Sequence, residues 1–250
     1  MSPSLNRMLS SFAGGGVFGA SYGDAPARVV ALHGWARTHA DFDTVLKGYD
    51  AIALDLPGYG ATPEPPGAWG SPEYAALVAD VLRALPAPPV LVGHSLGGRV
   101  GVHVAATYPE LVGGLLLTGA PLIRVGEAAK PKAGYRVVRW LNRRGVISDA
   151  RMNAAREKNY AEDWRNASAG MRPVFVNLVN ENYDAQIDAV KCPVELVWGT
   201  DDTAAPVAGA ELLDARLGGR GRLTLLPGIG HLTPLTAADE LRAAIDRLLA

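Results

Sequence analysis

The chain has very little cysteine, no long apolar run and almost no net charge. Cys192 is the single cysteine among 250 residues, which excludes an intramolecular disulfide and argues against a metal site built from thiolates. No apolar stretch reaches the roughly 18 residues that a membrane span requires. The formal net charge of −1 gives no overall attraction to nucleic acid or to an anionic membrane surface. We therefore expect no nucleic acid, no membrane and no metal among its partners.

The first residues lack the continuous hydrophobic segment of a secretory signal. Residues 1–19 hold one arginine, a few apolar residues and a run of three glycines. We therefore expect a cytoplasmic protein. The remaining composition, with 48% hydrophobic and 20% charged residues, is typical of a globular protein, and 250 residues are enough for one large α/β domain.

Short apolar runs alternate with helical patterns over most of the chain. The runs lie at 17–22, 28–32, 51–54, 90–92, 115–118, 194–198 and 222–226. Such strands are typical of a sheet covered on both faces, and their alternation with helices predicts a mostly parallel, doubly wound α/β architecture. We expect helices near 39–47, 72–84, 96–108, 206–217 and 236–249. For the second of these, Ser71 is the expected N-cap and Pro72 the first helical residue.

The alternation stops between residues 122 and 190. This segment has no strand-like run, is more polar, and places large apolar residues from Met171 to Leu178 at helical spacing. We interpret it as a helical insertion into a core formed by residues 1–121 and 191–250. Because it leaves and re-enters the sheet between two strands, we expect it to lie over their carboxyl edge, where open α/β sheets bind ligands.

The sharpest motif is Gly93-His94-Ser95-Leu96-Gly97, which follows one apolar run and precedes a helical pattern. A serine on a sharp strand-to-helix turn has a strained backbone, and glycines two positions to either side give it room. Such a turn presents the hydroxyl of Ser95 at the carboxyl edge of the sheet. It also places the amide of Leu96 at a helix N-terminus, where negative charge is favoured. Ser95 is therefore the candidate nucleophile.

A serine nucleophile requires a base, and the base requires a group that orients it. Among five histidines, His231 lies late in the chain on a glycine-flanked loop after the last predicted strand, so it is the candidate base. The loop after the preceding strand offers two carboxylates, of which we favour Asp202 and keep Asp201 as the alternative. The chain order of serine, aspartate and histidine is that of one serine hydrolase fold.

Several motifs together resemble the α/β-hydrolase superfamily over nearly the whole chain. They are the elbow at 93–98, His33-Gly34-Trp35, the turn at 55–60, the loop at 199–202 and Gly230-His231. The resemblance implies the α/β-hydrolase fold with residues 122–190 as a helical cap, and backbone amides of Trp35 and Leu96 as the oxyanion hole. Within this superfamily a serine nucleophile, rather than an aspartate, indicates acyl transfer.

These features predict hydrolysis of a small carboxylic ester, thioester or lactone through a Ser-His-Asp triad and an acyl-enzyme. This chemistry needs no metal or organic cofactor. Two alternatives stay open. One is C–C bond cleavage or cofactor-free perhydrolysis on the same fold, and the other is a non-catalytic, ligand-binding member of the fold.

The candidate substrate-binding residues are Trp35, His94, Arg136 and Asn177. Residues 122–190 hold twelve Lys and Arg against eight Asp and Glu, and three arginines share one face of a predicted helix, at 136, 139 and 143. This basic surface favours an anionic substrate or an acidic carrier protein, although a solvated helix face is the simpler interpretation. Together with His33-Gly34-Trp35 it is similar to carboxylesterases that cleave methyl esters from carrier-bound acyl chains.

Overall fold

The computed structural model describes residues 7–24, 26–125, 133–148, 151–152 and 162–250. Among these residues, eight strands form one sheet in the spatial order β1-β2-β4-β3-β5-β6-β7-β8. The strands are β1 (Arg7–Phe12), β2 (Val17–Tyr22), β3 (Val29–Leu32), β4 (Ala51–Asp55), β5 (Val90–His94), β6 (Gly114–Thr118), β7 (Val194–Gly199) and β8 (Gly221–Leu226). β2 pairs antiparallel with both of its neighbours, and every other pairing is parallel. The predicted mostly parallel sheet is thus confirmed.

Helices connect the parallel strands. They are α1 (Ser71–Arg83), α2 (Leu96–Thr107), α3 (Ala133–Arg143), α4 (Glu162–Asn166), α5 (Met171–Asn180), α6 (Asp184–Ala189), α7 (Val207–Leu217), α8 (Thr233–Thr236) and α9 (Ala238–Leu249). Short 3₁₀ turns lie at Ala13–Gly15, His39–Phe42, Pro109–Leu111 and Gly218–Arg220. α3 to α6 all lie between β6 and β7, in the segment that the sequence separates from the sheet.

The sheet separates two apolar cores because successive strand residues point to opposite faces. In β3, Val30 and Leu32 belong to the larger core, and Val29 and Ala31 belong to the smaller one. The larger core is completed by α1, α2, α5, α6 and α7. The smaller core is completed mainly by α9 and by the 3₁₀ segment around Phe42. Every residue of β3 to β7 is buried, which explains why these strands read as near-continuous apolar runs.

Three local predictions differ from the structure. β1 was not predicted, because Met8 and Leu9 are both exposed on this edge strand and leave no alternating pattern. The helix expected near 39–47 is a single 3₁₀ turn followed by further turns. The N-cap of α1 is Gly70 rather than Ser71. The Glu73 carboxylate accepts a hydrogen bond from the Gly70 amide, and the Ser71 hydroxyl forms its hydrogen bond with the Tyr183 hydroxyl.

Candidate active site

Ser95 stands alone between β5 and α2, with φ of 50° and ψ of −109°. This left-handed backbone is costly for a residue with a side chain, on the order of 1–3 kcal/mol. Tight packing on both sides holds it in place. A Cβ at Gly93 would lie 2.6 Å from the Gly97 carbonyl oxygen, and a Cβ at Gly97 would collide with the backbone of Leu32. Both flanking glycines are therefore required by close approach of main chain.

A chain of two hydrogen bonds connects Ser95 to a buried carboxylate. His231 Nε2 lies 3.1 Å from Ser95 Oγ, and His231 Nδ1 lies 2.8 Å from Asp202 Oδ2. The side chain of Asp202 is 1% exposed, whereas that of His231 is 27% exposed. Because Nδ1–H donates to the carboxylate, Nε2 is left as an acceptor for the serine proton. The structure thus places His231 within hydrogen-bonding distance of both Ser95 and Asp202.

Main-chain groups fix the carboxylate itself. Asp202 Oδ1 accepts hydrogen bonds from the amides of Ala204 and Ala205, at 2.9 and 2.8 Å. The alternative acid, Asp201, is exposed and accepts a bond from the Thr200 hydroxyl. Its amide donates to the Ile229 carbonyl, which ties the acid loop to the loop that carries His231. The structure therefore brings Asp202, and not Asp201, to the histidine.

Trp35 and Leu96 both line the cavity that contains Ser95. Leu96 is the first residue of α2, so its N–H has no acceptor within the helix. The amide of Trp35 donates to no carbonyl among the described residues. Backbone N–H groups without an acceptor are the kind of donor that stabilises an oxyanion, so these two amides stay the candidates for that role.

His33 controls the peptide that carries the Trp35 amide. His33 Nε2 accepts from the Leu56 amide at 2.9 Å, so the proton is on Nδ1, which donates to the Gly34 carbonyl at 2.7 Å. Burial lowers the pKa of His33 to about 4 and keeps the ring neutral. In a trans peptide the C=O and N–H point in opposite directions. Holding the Gly34 carbonyl therefore turns the Trp35 N–H away from His33.

The His94 side chain contacts the loop that carries His231. Its Nε2 lies 2.9 Å from the His231 carbonyl oxygen and donates to it, and the two rings are 4.9 Å apart. Burial lowers the pKa of His94 to about 4. The ring lies in the cavity wall but is 1% exposed, so the predicted substrate contact has little accessible surface.

The cavity beside Ser95 has a volume of about 360 Å³. The sheet side contributes Gly34, Trp35, Leu96 and His231, and the insertion contributes Asp163, Phe175, Leu178 and Val179. Trp35 packs edge-on against Phe175, with ring centres 5.0 Å apart. This contact joins the core to α5 and encloses one side of the cavity.

Of the predicted substrate residues, Asn177 lies away from this cavity and the side chain of Arg136 is not described. Asn177 donates to the Ala68 carbonyl at 2.6 Å, on the far side of α5 from the cavity lining. The side chain of Arg136, like that of Arg139, lies outside the described residues. Arg143 is exposed at the end of α3.

Sequence reasoning missed two residues that shape the site. A Cβ at Gly119 would lie 3.1 Å from the His231 ring and 3.2 Å from Asp202, and φ there is +55°. Only glycine fits this position comfortably, at the end of β6. Arg99, one turn along α2 from Ser95, lines the cavity and donates to the Leu178 carbonyl. No spacing pattern in the sequence points to either residue.

No group of three His, Cys, Asp or Glu side chains within the described ranges is arranged to hold a metal ion. None of the helices in that same part of the chain has both the length and the hydropathy that a bilayer crossing requires.

Residues 29–244 match the alpha/beta hydrolase family, and this span includes every element of the site described above. The chain belongs to the alpha/beta hydrolase family. Its membership agrees with the parallel sheet, the strained serine after β5 and the late histidine loop. The hydrolase family expected from the sequence motifs is thus confirmed.

This alpha/beta hydrolase is similar to proteins named as esterases. It is 27% identical over 244 residues to a pimeloyl-[acyl-carrier protein] methyl ester esterase of Nitrosomonas europaea, covering 88% of this chain and 94% of the relative. It is 37% identical over 127 residues to esterase Rv0045c of Mycobacterium tuberculosis, covering 48% of this chain and 43% of that one. The solved structure of a thermophilic esterase from Thermogutta terrifontis matches with a TM-score of 0.69 at 20% identity, covering 97% of each chain, which shows a shared fold.

Proposed function

We propose that this alpha/beta hydrolase is a serine carboxylesterase whose catalytic triad is Ser95, His231 and Asp202. The single observation that carries the proposal is the pair of hydrogen bonds from Ser95 Oγ to His231 Nε2 and from His231 Nδ1 to Asp202 Oδ2, at 3.1 and 2.8 Å. A serine hydroxyl is a weak nucleophile until a base takes its proton, and this distance allows direct transfer.

The reaction proceeds through an acyl-enzyme. Ser95 Oγ attacks the ester carbonyl carbon while His231 Nε2 takes its proton, and the amides of Trp35 and Leu96 stabilise the negative oxygen. His231 then donates that proton to the leaving alcohol. Water attacks the acyl-enzyme with His231 again as the base, which releases the acid and restores Ser95. Asp202 holds the imidazole and stabilises its positive charge.

We propose that residues 122–190 form a cap that selects the substrate. The supporting observation is that the far wall of the cavity, formed by Asp163, Phe175, Leu178 and Val179, comes from this segment. The catalytic groups all come from the core on either side of it.

Active-site labelling tests the nucleophile. A fluorophosphonate probe reacts with an activated serine, so the wild-type protein is labelled and Ser95→Ala is not. Turnover of 4-nitrophenyl butyrate falls by about 10⁴-fold or more in the same variant. Ser10→Ala, on edge strand β1, serves as the matched control and keeps both signals. Labelling that persists in a folded Ser95→Ala protein, judged by circular dichroism, contradicts the proposal.

A carrier-bound methyl ester is a second candidate substrate. It is favoured by the relative from Nitrosomonas europaea, whose alignment covers most of both chains, and by the excess of basic residues in the 122–190 segment. The test compares one acyl methyl ester on an acyl carrier protein and on free pantetheine. We expect kcat/KM to be at least about tenfold higher with the carrier, falling with salt because the attraction is electrostatic. Equal values for the two forms contradict carrier recognition.

A further inference from the structure

Arg99 places a guanidinium group in the cavity that contains Ser95. It lies four residues after Ser95 in α2, so both residues lie on one face of the helix start. Its Nη1 donates to the Leu178 carbonyl of α5, and its guanidinium carbon lies 5.8 Å from the centre of the Tyr183 ring. These two contacts fix the position of the charge between α2 and the far wall.

The other arginine in the cavity wall is already neutralised. Arg37 Nε and Nη2 bind the two carboxylate oxygens of Asp41 at 2.7 and 2.6 Å. Arg99 has no carboxylate partner within ion-pair distance in the part of the chain that the structure describes. The neighbouring carboxylate of Glu181 accepts instead from the Ser71 amide and the Tyr183 hydroxyl. The positive charge of Arg99 is therefore left without a counter-ion.

A half-buried cation without a counter-ion costs free energy, and an anion that enters the cavity offsets this cost. The guanidinium has five N–H donors, of which one is used on Leu178, so a planar fork remains for a second partner. Asp163 also lines the cavity, but it is an exposed residue of α4.

We propose that Arg99 forms an anion subsite, so that this protein prefers esters carrying a carboxylate beyond the scissile bond. This inference rests on the proposed serine esterase function and names its substrate class. The carboxylate can lie in the acyl half or the alcohol half of the ester, and matched substrates distinguish the two.

The test uses two pairs of esters in which a carboxylate is replaced by an uncharged group. Mono-4-nitrophenyl adipate is compared with 4-nitrophenyl hexanoate for the acyl half, and 4-carboxyphenyl hexanoate with 4-carbamoylphenyl hexanoate for the alcohol half. In one pair we expect the wild-type kcat/KM to be about tenfold higher for the charged ester. Arg99→Gln lowers this ratio about tenfold, mainly through KM, and Arg99→Lys, which keeps the charge without the planar fork, gives an intermediate ratio.

Arg124→Gln is the matched control. Arg124 also donates to carbonyls at the end of α5, those of Val179 and Glu181, but it does not line the cavity. Its substitution leaves the ratio within about twofold of wild type. The anion-subsite proposal is wrong if the wild-type protein shows no preference in either pair, or if Arg99→Gln and Arg124→Gln change the ratio equally. Turnover of the neutral esters, and with it the esterase proposal, is unaffected by either result. Loss of the esterase proposal itself is recognised separately, by turnover that survives Ser95→Ala.

Discussion

The two sides of the cavity are attached in different ways. On the sheet side, each group of the proposed triad is held by close contacts: two main-chain amides bind Asp202, the His94 ring binds the His231 carbonyl, and close packing at the flanking glycines holds Ser95. On the insertion side, α5 packs its apolar face into the larger core, and its side-chain hydrogen bonds to residues 1–121 are single ones, from Arg99 to the Leu178 carbonyl and from Asn177 to the Ala68 carbonyl. From this difference we propose that the chemistry depends on the sheet edge, whereas substrate choice depends on the insertion.

The largest expected loss of activity follows from substitution of Asp202, the carboxylate held on the sheet side. Asp202→Asn lowers kcat by about 10⁴-fold, because an amide favours the wrong tautomer of His231 and cannot stabilise its charge. Steady-state kinetics with a 4-nitrophenyl ester measures the effect. Asp201→Asn is the neighbouring control, and we expect it to change kcat by less than about twofold. Comparable losses in the two variants would show that the acid has been assigned to the wrong residue.

The next effect concerns stability at the elbow. Gly93→Ala places a Cβ 2.6 Å from both the Gly97 carbonyl oxygen and the Gly98 Cα, so it lowers the free energy of unfolding by about 3 kcal/mol. Gly67→Ala, where a Cβ meets no atom within 4 Å, changes it by less than about 0.5 kcal/mol. Urea unfolding measures both values. A tolerated alanine at position 93 would mean that the sheet side is less rigid than its packing indicates.

The buried histidines make stability depend on pH. Burial lowers the pKa of His94 to about 4 from 6.5, so between these values the unfolded chain binds the proton and the folded chain does not. The stability contributed by neutral His94 is complete above pH 6.5 and is lost as the pH falls towards 4. This loss amounts to roughly 3 kcal/mol. We therefore expect the free energy of unfolding, measured with urea between pH 7 and pH 4, to fall less in His94→Gln than in the wild-type protein. Glutamine keeps a donor for the His231 carbonyl. If the free energy of unfolding changes equally with pH in both proteins, His94 is not the origin of the acid sensitivity.

The smallest effect lies on the insertion side. Phe175→Ala removes the ring that packs on Trp35, so the cavity widens and the preferred acyl chain becomes longer or more branched. We expect kcat/KM for a short ester to fall by no more than about tenfold. A series of 4-nitrophenyl esters from acetate to decanoate measures the shift, and Asn177→Ala on the other side of α5 gives the control profile. An unchanged chain-length profile for Phe175→Ala would remove the assignment of specificity to the insertion.

The sequence was most informative where a local steric rule applies. Ser95 was predicted because its turn demands glycines at fixed positions, and His231 and Asp202 because loops at the carboxyl edge of a parallel sheet converge. Asp202 was separated from Asp201 by three-dimensional contacts with the Ala204 and Ala205 amides.

The contacts that the sequence does not reveal join residues that are distant along the chain. The partner of Asn177 is the carbonyl of Ala68, and Arg99 reaches Leu178, so neither contact has a local signature. The sequence favours Ser71 as an N-cap because it does not reveal the hydrogen bond between Ser71 and Tyr183. β1 was missed because an edge strand exposed on both faces has no apolar period.

The positive φ of Ser95 connects the proposed reactivity of this residue with a cost in thermal stability. Glycine is the residue that adopts its dihedral angles at least cost, so a chain selected for thermal durability alone would carry glycine at position 95. Its melting temperature would be higher, but it would lack the proposed nucleophile. Under the proposed function, the Ser95 hydroxyl is thus obtained at a cost in the stability of the fold around it.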